Sequence, residues 1–124
     1  MIVKFVYGFL PAIIIPVKRR PEPFDARTKF FVIKIWHKRL DDKALLEHEL
    51  THVRQFWRTF GLHFILYKLS KRYRFYAECE AYANQCRALG SKPIFVEIAA
   101  KHLTKLYNLN IGFHKALRCI YSKL

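Results

Sequence analysis

The sequence has few cysteines, and this shortage excludes several kinds of protein. Its three cysteines are Cys79, Cys86 and Cys119, and no CxxC pair or cluster of cysteine with histidine is present, which excludes a structural zinc finger. An odd number of cysteines without a framework of pairs favours a reducing compartment. We therefore expect a cytoplasmic protein in which Cys79 and Cys86 are small buried hydrophobic residues of one helix.

Acidic residues are also scarce, since nine Asp and Glu face 23 Lys and Arg, for a formal net charge of +14. A hydrophobic content of 52% nevertheless excludes a disordered polycation. The length of 124 residues suits one domain. We expect a single basic domain over residues 1–124 that attracts polyanions, such as nucleic acid or an anionic membrane surface. No recognised nucleic-acid-binding module is present.

The chain lacks an uninterrupted apolar run of clear membrane-spanning length. Residues 1–17 are nearly all apolar, but Pro11 and Pro16 interrupt them and Lys4 lies inside them. Proline disrupts a helix interior, and a spanning helix needs about 17 to 25 apolar residues. No small-residue cleavage site follows, as a signal peptide would require. Buried strands are the preferred prediction for this segment, and a membrane-associated anchor is the alternative.

Two regions differ in their hydrophobic pattern. Residues 1–40 are rich in β-branched and aromatic residues broken by glycine and proline, which is typical of strands, and the clearest strand is predicted at 29–36. From residue 41 onward the period is helical. The predicted helices are 41–61, 62–71, 73–89, 93–107 and 113–121. The predicted fold class is α+β, with a small N-terminal antiparallel or mixed sheet followed by four to five helices.

The first helix is predicted from its cap and its apolar stripe. Asp41 or Asp42 can accept hydrogen bonds from the free N–H groups of the first turn, and Gly61 is a suitable end. At 100° per residue one side of this helix is continuously apolar, and this side is expected to face the core. The stripe consists of Leu46, Leu50, Val53, Trp57 and Phe60.

Residues 48–52 have the sequence HELTH, which is an HExxH pattern. On a helix, His48 and His52 project about 40° apart and one turn apart, so both imidazoles can bind one metal ion. Glu49 lies beside them, where its carboxylate can take a proton from water without binding the metal. Two imidazoles and a carboxylate suit Zn2+. The alternative is two partly buried histidines that only satisfy hydrogen bonds, but three adjacent ionisable groups on an inward sector would then be costly.

The third helix offers Glu78 and Glu80 as a third metal ligand, and Glu80 is the preferred candidate. It shares a face with Tyr76 and Asn84, and small alanines on either side would let another helix approach. Asn84, one turn further, could accept the free ring N–H of a liganding histidine and so fix its tautomer. The alternative is that Glu80 is an ordinary exposed glutamate.

These motifs resemble the gluzincin zinc metallopeptidases. As in that family, HELTH on one helix is followed by a glutamate and an alanine, Glu80-Ala81, on a second helix. Asn84 stands where thermolysin-like members carry an aspartate, which weakens the electrostatic support of the metal ligands. The resemblance covers about residues 41–90, and in length and order the chain is also similar to the single-domain minigluzincins.

The resemblance implies a zincin-like fold and a zinc-dependent peptidase that cleaves a peptide or protein substrate. His48, His52 and Glu80 would then hold Zn2+, and Glu49 would be the general base. It also implies that the strand at 29–36 is a sheet edge that pairs with an extended substrate. A histidine or tyrosine often stabilises the oxyanion in this family, and the choice stays open among Tyr73, Tyr76, His102, Tyr107 and His114.

Two other functions remain open from the sequence. One is a basic domain that binds nucleic acid or another polyanion and has a structural or vestigial metal site. The other is a zincin-like scaffold that no longer turns over substrate, for which the replacement of aspartate by Asn84 is the only hint.

Overall fold

The structure is a computed structural model that describes residues 1–124. It has the expected α+β class, with four strands followed by five α-helices. The strands are β1 (Ile2–Val6), β2 (Leu10–Val17), β3 (Ala26–Lys29) and β4 (Val32–Trp36). The helices are α1 (Lys43–Arg58), α2 (His63–Leu69), α3 (Lys71–Ala88), α4 (Pro93–Leu106) and α5 (Phe113–Ser122). None of the five helices has the length and apolar character that crossing a bilayer would require.

The chain divides into two compact units, Met1–Phe64 and Ile65–Leu124. Each unit has a hydrophobic core of its own. The prediction of one domain over residues 1–124 stays a prediction, because a compact unit is not by itself an independently folding domain.

The first unit is built on a mixed sheet with strand order β1-β2-β4-β3. The β1/β2 and β3/β4 pairs are antiparallel, and β2 and β4 are parallel. Alternate side chains of β2 and β4, Ile14, Ile33 and Ile35, are fully buried in one core with Leu50 and Val53 of α1. Residues 1–17 therefore form two strands, as preferred from the sequence. Strand β2 buries Ala12 and Ile14, whereas β1 is exposed from Ile2 to Phe5 and buries only Val6, so the expectation of buried strands is wrong for most of β1.

The predicted strand at 29–36 is divided by a turn. Strand β3 ends at Lys29, Phe30 takes a left-handed conformation with φ of 58°, and β4 begins at Val32. Aromatic residues favour strands, so the sequence pattern gives no sign of this turn. Because β4 lies between β2 and β3, the expectation that this strand is a sheet edge is wrong, and the edge on this side is β3.

Helix α1 begins at the second of the two predicted caps. The Asp42 side chain accepts a hydrogen bond from the Leu45 N–H at 2.9 Å. Partial burial alone would raise the pKa of Asp42, but the hydrogen bonds from Leu45 and from the Arg39 guanidinium outweigh this effect and lower the pKa. Asp42 thus fixes the start of the helix that carries the HExxH residues.

The far end of α1 differs from its prediction. The helix ends at Arg58, and Phe60 lies beyond it with φ of 53° and 95% of its surface exposed. The rest of the predicted stripe faces the core, since Leu50 and Val53 are buried and Leu46 and Trp57 pack against them. Phe60 leaves the stripe because the left-handed turn breaks the 100° progression on which its prediction depended.

Helices α3, α4 and α5 enclose the core of the second unit. The apolar residues that recur at heptad-like spacing along α3 form a buried stripe of Phe75, Cys79, Tyr82 and Cys86, but Leu89, which continues this spacing just beyond the helix, is 41% exposed. Burial raises the pKa of the Cys79 and Cys86 thiols, and neither cysteine forms a disulfide. This confirms the prediction that they are buried small residues of the core.

Candidate metal centre

His48 and His52 lie one turn apart on α1, as the HExxH spacing predicts. Their ring centroids are 5.1 Å apart and the ring planes are inclined by 74°. Both side chains are buried, with 5% and 7% of their surface exposed. The first half of the candidate site is therefore set by the periodicity of a single helix.

Gln55 holds the ring of His52. Nδ1 of His52 lies 2.9 Å from Oε1 of Gln55, which is itself buried. With the amide oxygen as acceptor, Nδ1 carries the proton and Nε2 keeps the lone pair that a metal ion needs. The ring of His63 stacks on the His52 ring, with centroids 5.8 Å apart. His52 is thus fixed in both tautomer and orientation.

Glu49 is anchored by a residue of the edge strand β3. The Thr28 hydroxyl donates a hydrogen bond to Oε1 of Glu49 at 3.1 Å. The other carboxylate oxygen, Oε2, lies 3.8 Å from Nε2 of His48. The carboxylate therefore has one oxygen held by the sheet and the other directed to the side on which His48 lies.

Glu78 of α3 is the fourth buried ionisable residue of this region, after His48, Glu49 and His52, and has 2% of its surface exposed. The Tyr67 hydroxyl donates a hydrogen bond to its Oε2. Tyr107 is also close enough to respond to Glu78, because burial and then the negative charge of Glu78 raise the pKa of Tyr107 well above its usual value. The Tyr107 hydroxyl in turn shares a hydrogen bond of 2.7 Å with that of Tyr82. One tyrosine hydroxyl, that of Tyr67, therefore bonds the Glu78 carboxylate directly, and the charge of Glu78 raises the pKa of a second tyrosine, Tyr107.

His48, His52 and Glu78 form a group that could hold a metal ion. One ligand atom from each residue lies within 4.8 Å of the other two, and all three residues are buried. Two imidazoles and one carboxylate are the donor set of many catalytic zinc sites. A fully buried carboxylate beside two imidazoles also requires compensation of its charge, which a divalent cation would provide. The donor set therefore fits Zn2+.

The structure brings together two of the three predicted ligands, with Glu78 in the position expected for Glu80. On a helical projection Glu78 lies about 40° from Tyr82 and about 60° from Phe75, so it borders the buried stripe of α3. Glu80 lies on the opposite side, in the sector of Tyr76, which is 46% exposed. The buried stripe of α3 was therefore the signal that distinguishes the two glutamates.

The residue expected to hold a histidine ring was Asn84, and the structure shows Gln55 in this role. The Asn84 side-chain oxygen accepts a hydrogen bond from Arg87. Gln55 lies three residues after His52 on the same helix, so its spacing was available as a signal. Thr28 and Tyr67 were also missed, and no sequence pattern marks them, because they reach the site through strand pairing and helix packing.

No protein-family model matches the chain, and the comparisons with curated proteins and with solved structures gave no match. The HxxxH spacing and a His/His/Glu group that could hold a metal are present in the structure. The assignment of a function therefore depends on the chemistry of these residues.

Proposed function

We propose that this chain is a zinc-dependent peptidase of the gluzincin type, with His48, His52 and Glu78 as the zinc ligands. The observation that carries the proposal is the buried group of these three residues on the same side as the Glu49 carboxylate. A zinc ion held there would polarise a substrate carbonyl and lower the pKa of water. Peptide hydrolysis needs these two effects together with a general base.

Glu49 is the general base of the proposed reaction. It takes a proton from the attacking water and later donates it to the leaving amine. Thr28 supports this role by donating to one carboxylate oxygen, which leaves Oε2 for proton transfer. Thr28 is thus a positioning residue that acts through Glu49.

Gln55 and Tyr67 orient the proposed ligands. Gln55 accepts a hydrogen bond from Nδ1 of His52, so Nε2 would be the metal-binding nitrogen, and Tyr67 donates to Oε2 of Glu78, whose carboxylate would bind the metal. Such partners of metal ligands align the donors and tune their basicity. These hydrogen bonds also explain why His52, Gln55 and Glu78 tolerate burial.

The first test measures zinc content and peptidase activity in parallel. Protein purified without added zinc should contain one zinc per chain, His52→Ala should contain little, and Glu49→Gln should contain as much as the wild type. Labelled casein should be cleaved by the wild type, and Glu49→Gln should lower this rate by about 100-fold or more.

The two variants separate the proposal from its alternatives. Equal metal content in the wild type and His52→Ala would refute the metal site. If the wild type and Glu49→Gln both contain zinc but neither cleaves casein or a mixed peptide library, the result would support the inactive scaffold instead.

Thr28 allows a sharper test of the base. Thr28→Val should lower kcat by about tenfold, because the carboxylate loses its hydrogen-bonded anchor, while zinc content stays the same. Thr28→Ser keeps the hydroxyl and should restore most of the rate. A loss of rate of equal size in both variants would show that the methyl packing of Thr28 matters and its hydroxyl does not.

A further inference from the structure

Three aromatic residues of the first unit adopt a backbone conformation that suits them poorly. Tyr7, Phe30 and Phe60 have φ of 51°, 58° and 53°. The residues other than glycine with positive φ in the second unit are small and polar: Ser91, Asn108 and Asn110. Short polar side chains tolerate this left-handed region, whereas bulky ones adopt it at a cost. Strain of this kind tends to be retained where a side chain has a function.

The three strained aromatics lie at one end of the sheet. Tyr7 is in the turn before β2 and Phe30 is in the turn before β4, and these strands are parallel, so both turns are at the same end. The last turn of α1 reaches this end as well, because the Trp57 indole N–H donates to the Pro11 carbonyl at 3.0 Å. Phe60 follows directly after that turn. Three separate connections thus present an aromatic residue in one place.

These residues belong to a larger exposed patch, the aromatic end, which consists of Tyr7, Phe9, Phe30, Phe60 and Phe64. Their exposed fractions are 50%, 73%, 43%, 95% and 40%. The rings of Phe30 and Phe64 pack on each other with centroids 5.4 Å apart. An exposed cluster of large apolar side chains on a folded chain is characteristic of an interaction site.

Positive charge accompanies the aromatic end. Nζ of Lys29 lies 5.6 Å from the ring centroid of Phe30 and 5.8 Å from that of Phe64, Lys4 lies on β1, and Arg58 is exposed at the end of α1. The acidic residues of this unit that lie outside α1 are at the opposite end of the sheet: Glu22, Asp25, Asp41 and Asp42. The aromatic end is therefore both apolar and cationic.

We propose that the aromatic end docks on an anionic lipid bilayer. Aromatic side chains at turn tips favour the headgroup region of a membrane, and flanking lysine and arginine residues are attracted to acidic lipids. The net charge of +14 adds long-range attraction to such a surface. The same charge opposes the approach of a second copy of the chain, which makes self-association the weaker use of this patch.

Asparagine substitutions test the proposal without threatening the fold. In the variant Tyr7→Asn, Phe30→Asn and Phe60→Asn, asparagine adopts the left-handed region more readily than the aromatics do, so the variant should unfold no more easily than the wild type. A matched control replaces three exposed apolar residues of the second unit by asparagine: Leu89, Ile94 and Tyr121, which are 41%, 55% and 46% exposed.

The measurement is co-sedimentation of the full chain with vesicles. The wild type should bind vesicles of phosphatidylcholine with phosphatidylserine more tightly than vesicles of phosphatidylcholine alone, and added salt should weaken the binding. The triple variant of the aromatic end should bind the anionic vesicles at least about tenfold more weakly. The control variant should bind as the wild type does.

Several results would overturn the proposal. Wild-type protein that stays in the supernatant with anionic vesicles would do so, and so would equal binding by the wild type and the triple variant. If the wild type does not bind vesicles but forms a dimer in sedimentation velocity, and the triple variant is a monomer, the aromatic end would be assigned to a second copy of the chain. Loss of single-stranded DNA binding in the triple variant, without vesicle binding, would assign it to nucleic acid.

Discussion

The two compact units hold their residues of the candidate metal site in different ways. In the first unit, His48 and His52 come from one helix, and the partner of His52 is Gln55 on the same helix. In the second unit, Glu78 on α3 accepts a hydrogen bond from Tyr67 on α2. Its negative charge helps to raise the pKa of Tyr107, which lies beyond the end of α4. One half is organised by helical periodicity and the other by the packing of separate helices.

This difference determines how each half should respond to change. Residues placed by the periodicity of one helix keep their mutual geometry as long as that helix forms. A residue placed by packing depends on every contact that positions its helix. Glu78 is therefore the most vulnerable of the three proposed ligands, and substitutions around it should separate the two halves most clearly.

The largest effect is expected from the choice between the two glutamates of α3. Glu78→Gln should lower zinc affinity by more than about 100-fold, because a ligand contributes more than the residues that orient it. Glu80→Gln, two residues away on the opposite side of the same helix, is the matched control and should change the affinity little. Competition with a chromogenic chelator measures both variants.

The opposite ranking would return the third ligand to Glu80, as the sequence suggested. A large loss of zinc in both variants would indicate that α3 as a whole is disturbed, and circular dichroism would then show lower helix content. If Glu78→Gln has the helix content and the zinc affinity of the wild type, Glu78 is not a zinc ligand.

A smaller effect is expected from the residues that orient the ligands. Gln55→Leu and Tyr67→Phe should each lower zinc affinity by about 10- to 100-fold. Tyr76→Phe also removes a hydroxyl, but from an exposed tyrosine of α3, and it should leave the affinity unchanged. Tyr67 reaches Glu78 through the packing of separate helices, which mild urea loosens. In mild urea the zinc affinity of the wild type should therefore fall towards that of Tyr67→Phe at a concentration that still leaves α1 intact. Equal affinities in Tyr67→Phe and Tyr76→Phe would contradict this role.

The same distinction explains how far the sequence predicts the fold. All five helices occur within a few residues of their predicted bounds, because caps, glycines and apolar spacing are local signals. The turn at Phe30 and the position of Phe60 were missed. Both are aromatic residues in a left-handed conformation, and the pattern that predicts turns expects glycine or asparagine there. Sequence rules failed where the chain is strained.

The candidate site follows this division as well. The HExxH spacing identified His48, Glu49 and His52, because a fixed helical period converts spacing into proximity. The choice of Glu80 rested on the helix face that it shares with Tyr76 and Asn84, and it overlooked the buried stripe that Glu78 borders. Thr28 could not be found from the sequence, because only strand order places β3 beside α1.

The smallest expected effect compares the caps of the two helices that carry the proposed ligands. Asp42 accepts from Leu45 N–H at the start of α1, and Ser70 accepts from Tyr73 N–H at 3.0 Å at the start of α3. Asp42→Ala and Ser70→Ala should each lower the free energy of unfolding by about 1 kcal/mol at neutral pH. Urea unfolding followed by circular dichroism measures both variants.

Acid should separate these two caps. The pKa of Asp42 is lowered in the folded protein, so its stabilisation is present above the unfolded pKa of about 4 and is lost as the pH falls through the folded pKa. The difference between wild type and Asp42→Ala should therefore shrink in acid. The difference for Ser70→Ala should stay constant, because a hydroxyl does not titrate. A constant difference for Asp42→Ala down to a pH of about 2 would show that its charge contributes nothing to the start of α1.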